Sequence, residues 1–173
     1  MPRLLQLLLP WGIALVLAHP ALAGKEKSIA LSEVPDEILA VAQEKYLAIT
    51  QSVITQENQP DPWLISANTE TEPKGGYLYE IQGLLPDGRK VEFDIYPDQR
   101  VQEIEIEFTR DMVPGAVLKA IERKLSGFEP TFIEASHSRS LKVVRYEFVG
   151  KLGSTELDLD VSADGRHVEV ADR

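Results

Sequence analysis

Tyr146-Glu147-Phe148, Gly150, Gly153-Ser154, Asp158-Leu159-Asp160-Val161, Asp164-Gly165-Arg166 and Glu169-Val170 restate a pattern that the chain has already used once. The earlier version runs Tyr79-Glu80-Ile81, Gly83, Asp87-Gly88, Glu92-Phe93-Asp94-Ile95, Asp98-Gln99-Arg100 and Glu103-Ile104. Ahead of each lies a Val-Pro pair, Val34-Pro35 and Val113-Pro114, leading into a helical pattern. Proline is accommodated at the first turn of a helix, where its missing N–H has no partner to lose, and Asp36 and Glu37 suit the positive end of the helix dipole. Leu39, Ala42, Tyr46 and Ile49 form one apolar stripe at helical spacing, and Leu118, Ile121, Leu125 and Phe128 form the other, with Gly127 as its stop.

Downstream of each helix the period changes to two. Val91, Phe93 and Ile95 alternate with Glu92, Asp94 and Tyr96; Ile104, Ile106 and Phe108 alternate with Glu103, Glu105 and Glu107; Leu157, Leu159 and Val161 alternate with Glu156, Asp158 and Asp160. Such alternation belongs to antiparallel sheets with one packed face and one wet face. Pro86-Asp87-Gly88 and Ala163-Asp164-Gly165 are hairpin signals between these runs. The expected fold class is therefore α+β: two tandem repeats, residues 34–110 and 111–173, each a helix packed on one face of an antiparallel sheet of about four strands. The join at Thr109–Met112 lacks the composition of a flexible tether, so the halves are expected to pack rigidly. An insertion between Gln51 and Gly76 lengthens the first half and carries Pro60-Asp61-Pro62, a Trp63–Asn68 strand and the breaker Pro73-Lys74-Gly75-Gly76. Trp63 either packs as a core edge or stands out as a binding aromatic.

Residues 1–23 read as a cleaved signal peptide: Arg3 precedes the apolar run Leu4–Ala18, and Ala21-Leu22-Ala23 offers a small-x-small cleavage site. Residues 24–33 read as a loose leader, and no later apolar run has spanning length. The expected address is periplasmic or secreted. No cysteine is present, so disulfides and thiolate metal sites are excluded and stability must come from the core. The 173-residue chain has a formal charge of −10, which disfavours nucleic acid and anionic lipid and favours cationic partners.

The Tyr-Glu-hydrophobic strand and the later Asp-containing turn resemble the PepSY domain. Tyr146-Glu147-Phe148 with Asp160–Arg166 carry the resemblance in the second half, and Tyr79-Glu80-Ile81 with Asp94–Arg100 in the first, where Gln99 replaces the turn glycine. Two copies behind a signal peptide look like the PepSY-like proteins grouped with β-lactamase-inhibitor-type folds. The resemblance implies a non-catalytic module of bacterial envelopes and secreted proteins, associated with peptidase propeptides and inhibition, and it carries no catalytic residues to transfer.

The residues themselves agree that no reaction chemistry is assembled. There is no Gly-x-Ser-x-Gly elbow, phosphate loop, dinucleotide glycine pattern or His-x-x-x-His pair. Ser136-His137-Ser138 reads as a polar hairpin turn, and His167 as a surface residue. The expectation is a binding module, not an enzyme, with a protein partner and no cofactor. Glu92, Asp94, Asp158 and Asp160 are its candidate binding carboxylates, with Trp63 as a further candidate. The alternative is a divalent-cation-binding protein using the same acidic face. A dedicated metal site is not expected, because a flat sheet face seldom wraps an ion in six to eight oxygens.

Overall fold

The computed structural model describes residues 26–50, 63–72 and 75–171. The signal peptide and cleavage site, Pro60-Asp61-Pro62 and Pro73-Lys74 lie outside the described residues. In chain order the elements are β1 (Glu26–Ile29), α1 (Asp36–Thr50), β2 (Leu64–Thr71), β3 (Tyr77–Leu84), β4 (Lys90–Ile95), β5 (Val101–Glu107), α2 (Gly115–Lys124), β6 (Phe128–His137), β7 (Val143–Leu152), β8 (Thr155–Ser162) and β9 (Val168–Ala171).

All nine strands form one antiparallel sheet in the order of the chain. This overturns the expectation of two repeats, each with its own four-stranded sheet: over the described residues the chain is mainly β, a nine-stranded meander carrying two helices. The reason is visible at the expected boundary. Ile104 faces His137 and Ile106 faces Ala135, so β5 and β6 pair directly, and Phe108 N–H donates to the Ile133 carbonyl at 2.8 Å. A half with a free edge here would leave a row of unpaired backbone groups, and pairing the two edges satisfies both. Phe108 packs against both apolar clusters, so the cores meet at one ring. A second correction concerns Glu26–Ile29, which is not a loose leader but strand β1 on the sheet's outer edge, with Lys27 opposite Thr69.

Both helices lie on the apolar face of the sheet. Alternation sends Ile81, Phe93, Ile104, Phe148 and Leu159 to that side, all essentially without solvent exposure. Ile38, Ala42 and Tyr46 meet the first group, while Val117 and Ile121 meet the second. The α1 stripe is thus rotated from the expected one: Leu39 and Ile49 sit at its margin, partly buried. In α2 the stripe ends earlier than its spacing suggests, because the helix stops at Lys124 and Phe128 opens β6. Gly127, at φ 83°, makes the reversal between them.

Trp63 belongs to this core. Its ring stacks on Tyr46 at 4.2 Å and meets Phe93 edge-on at 6.0 Å, and its Nε1 donates to Gln43 Oε1 at 2.6 Å. With 5% exposure it packs as the core edge, the first of the two readings of this residue. Gly83 explains how it fits: a Cβ there would meet the Trp63 ring at 2.5 Å. At the matching position Gly150 a Cβ would run into the Phe128 ring and the Glu129 carbonyl. Each glycine is the bare patch of strand that an aromatic from the neighbouring strand's entry covers.

Candidate functional site

The face opposite the helices is built from the alternate residues of every strand, and strand register arranges them in rows. One row runs Asn68, Glu80, Asp94, Glu103 across β2 to β5. The next runs Ser66, Gln82, Glu92, Glu105, Ser136, Arg145, Ser162 across β2 to β8. A third runs Glu107, Glu134, Glu147, Asp160, Glu169 across β5 to β9. Like charges directly opposite on paired strands destabilise a sheet, and this face sets them opposite repeatedly.

The predicted carboxylates all lie on this face, but not in one place. Glu92 and Asp94 stand on β4, while Asp158 and Asp160 stand on β8. Three strands intervene, so at roughly 4.8 Å per strand the two pairs lie about 19 Å apart across the sheet. They form two regions rather than one site.

Around Asp160 the region has its own counter-ion. Arg145 reaches Glu147 at 2.5 Å, Glu103 at 3.4 Å, Asp160 at 3.6 Å and Glu105 at 3.8 Å. Burial works against its charge, but Glu147, Glu103, Asp160 and Glu105 outweigh that and raise its pKa above the usual arginine value. Arg145 was not singled out from the sequence. Its signal is a basic residue two positions before Glu147, on the same face of the strand.

Around Asp94 the region has only amides. Asn68 Nδ2 donates to Glu80 at 3.1 Å and Gln82 Nε2 donates to Glu92 at 2.5 Å, while Gln82 Oε1 accepts from Ser66 Oγ at 2.8 Å. Asp94 Oδ1 is shut off from solvent and has no hydrogen-bond partner. Oxygens of Glu80, Glu92 and Asp94 lie within 4.8 Å of one another.

Crowded carboxylates taken out of water hold their protons. Burial first, and then the Glu92 charge, push Glu80 up to about 7 against the opposing Asn68 hydrogen bond. Burial also comes first for Glu134, followed by Glu92 and Glu147, and takes it to about 8. Glu92 is raised by burial, and Asp94 and Glu105 well above the carboxylate range, by burial and then by surrounding carboxylates.

Ser136 and His137 do not make a catalytic pair. Ser136 Oγ lies on the acidic face, 3.4 Å from Glu105. His137 is the next residue of the strand and points the other way, buried near Phe108 with Nδ1 2.7 Å from the Ala135 carbonyl; burial lowers its pKa. The polar turn expected from Ser136 begins two residues later, at Ser138, whose N–H donates to the Lys142 carbonyl at 2.9 Å.

No family model and no curated protein matches the chain. Solved structures share its fold, among them two from Bacteroides. A DUF2874 family protein from Bacteroides uniformis ATCC 8492 superposes with a TM-score of 0.56 at 12% identity, over 79% of this chain and 89% of that one. A BLIP-like protein from Bacteroides fragilis NCTC 9343 superposes with a TM-score of 0.50 at 16% identity, over 80% of this chain and 88% of that one. At such identities the likeness is one of fold: the chain has a BLIP-like fold. Among the described residues no helix is long and apolar enough to cross a membrane.

Proposed function

We propose that the chain is an exported, non-catalytic protein-binding module that offers its carboxylate face to a basic surface of a partner, regulating or inhibiting an envelope or secreted hydrolase. The observation that carries this reading is the face itself. Both helices pack on the other side, leaving three rows of carboxylates with Arg145 as the guanidinium among them. Keeping so many like charges together costs stability, and a cationic partner relieves that cost on binding. The BLIP-like neighbour is in keeping with an inhibitor-like role. The matched Tyr-Glu motifs support a PepSY relationship for residues 34–110 and 111–173, and the apolar leader at residues 1–23 supports export. The opposite orientations of Ser136 and His137 favour binding over catalysis.

The test is surface plasmon resonance, at two salt concentrations, against purified exported hydrolases, with a serine β-lactamase first, alongside their activity assays. Complementary charge acts mainly on association, so Asp94→Asn with Asp160→Asn should slow the on-rate and flatten its salt dependence. A bound hydrolase whose on-rate ignores the double change places the contact on another surface and ends this reading of the face.

A further inference from the structure

The matched stretches differ at one position that decides how their charge is balanced. Counting from Tyr79 and Tyr146, Glu80 corresponds to Glu147 and buried Leu78 to Arg145, and strand register matches Asp94 with Asp160. The structure places each pair equivalently: Glu80 faces Asp94 across β3 and β4, and Glu147 faces Asp160 across β7 and β8. In the second region the Arg145 guanidinium fills the space between the carboxylates and also reaches across to Glu103 and Glu105. In the first, a leucine stands where that cation would be rooted.

Several observations meet at the first region. Three carboxylates from two adjacent strands bring their oxygens within 4.8 Å of one another. The hydrogen bonds that reach them come from Asn68 and Gln82, which are neutral. Asp94 Oδ1, closed to solvent, has no hydrogen-bond donor at all, and an orphaned buried oxygen in native structures asks for an unseen water or ion. Glu26 and Glu70, on β1 and β2, face the same side and add further negative charge. We propose that Glu80, Glu92 and Asp94 bind a divalent cation, calcium by preference, which does for this region what Arg145 does for the other.

The ligand chemistry is all oxygen, which selects hard cations over zinc or copper. Calcium accepts an irregular shell of six to eight oxygens, whereas magnesium demands a near-ideal octahedron and gives up its waters reluctantly. Ligands fixed on two neighbouring strands offer such an irregular shell, which favours calcium. The objection that a flat sheet cannot wrap an ion is met in part by the second strand. Ligands come from β3 and β4 together, with water completing the shell on the open side. This inference stands apart from partner binding and is tested without a partner.

The experiment is isothermal calorimetry of calcium chloride into the chelator-treated chain, with ionic strength held by sodium chloride, and a thermal melt of the same samples. The wild-type chain should bind one calcium and melt higher with it, by the linkage of binding to folding. Asp94→Asn should weaken binding by about tenfold or more, at least the loss known for removing a mere outer-shell partner. Asp160→Asn, the matched change in the region that has its arginine, should leave affinity within about threefold, well under that scale. Heat that titrates over many weak sites and disappears in added salt, equal binding by Asp94→Asn, or no shift in millimolar calcium would each overturn the site. Tighter binding of magnesium than of calcium would overturn the choice of ion.

Discussion

Two regions of one sheet face carry nearly the same carboxylates and solve the resulting repulsion differently. Around Asp160 the chain supplies a guanidinium that touches four acids. Around Asp94 it supplies two amides and leaves one oxygen without a donor. Beneath both regions the apolar side is the same construction: a helix over a phenylalanine on the central strands, Phe93 in one case and Phe148 in the other. The difference teaches that the core sets the fold while the polar face is free to diverge. One substitution, leucine for arginine at matched positions, separates a surface with its own counter-ion from one whose carboxylates meet only amides.

The largest expected effects probe the part the regions share. Phe93→Ala and Phe148→Ala each remove a ring with no solvent exposure and should cost about 3–5 kcal/mol. Urea unfolding should show one transition for each variant, because β5 and β6 join the halves into a single sheet. Two separated transitions, one of them unmoved by the substitution, would break the claim of a common framework.

Removing the internal counter-ion comes next. Arg145→Met strips Glu103, Glu105, Glu147 and Asp160 of their cation at once. Breaking a buried ion pair from one side costs about 3–5 kcal/mol, but the Arg145 side chain is 40% exposed, so about 1–2 kcal/mol is expected after solvent screening. Chemical denaturation of wild type and variant at low salt measures it, and a variant as stable as wild type would mean that Arg145 decorates the surface without balancing it.

A third expectation is the pH profile. Glu80 at about 7 and Glu134 at about 8 hold protons in the folded chain that the unfolded chain releases near its ordinary value of 4.5. The native state then binds more protons than the unfolded state across this window, so unfolding free energy falls as pH rises from about 4.5 to about 8. Melting temperature in chelator should therefore be higher at pH 5 than at pH 8, the reverse of a protein held by ionised carboxylates. Glu134→Gln keeps the shape and removes the titration, and its profile should be flatter than that of the wild type. A profile that rises toward pH 8 would show these acids to be ionised and paired.

Much of this was legible in the sequence, because alternation is a local property. The apolar and acidic faces follow from reading every second residue of 91–95, 103–107 and 157–161, and the two Tyr-Glu motifs locate matching strands. What local period cannot encode is which strand lies beside which. That gap separates the expected pair of four-stranded sheets from the observed nine-stranded one, and it split Glu92 and Asp94 from Asp158 and Asp160. It also hid Arg145, whose role depends on Glu103 and Glu105 from β5, more than thirty residues away in the chain. Helix α2 was read too long because Phe128 continues its spacing by chance, although Gly127 marks the reversal. The extended segment at Glu26–Ile29 has no alternation of its own, since its side chains are exposed or half-buried, and only pairing with β2 makes it a strand.

The central claim, that matched carboxylates in the two regions differ in whether the chain neutralises them, is tested most directly by the sign of two matched substitutions. Asp94→Asn and Asp160→Asn should be compared with wild type by urea denaturation at neutral pH, low salt and in chelator. Asp94→Asn removes the cost of holding a buried carboxyl, which must stay charged or take up a proton on folding, and should stabilise the fold; Asp160→Asn removes a partner of Arg145 and should destabilise it. Each effect is expected to be about 0.2–1 kcal/mol, the scale of partly exposed ion pairs. Opposite signs are the predicted result, and two changes of the same sign would contradict the account.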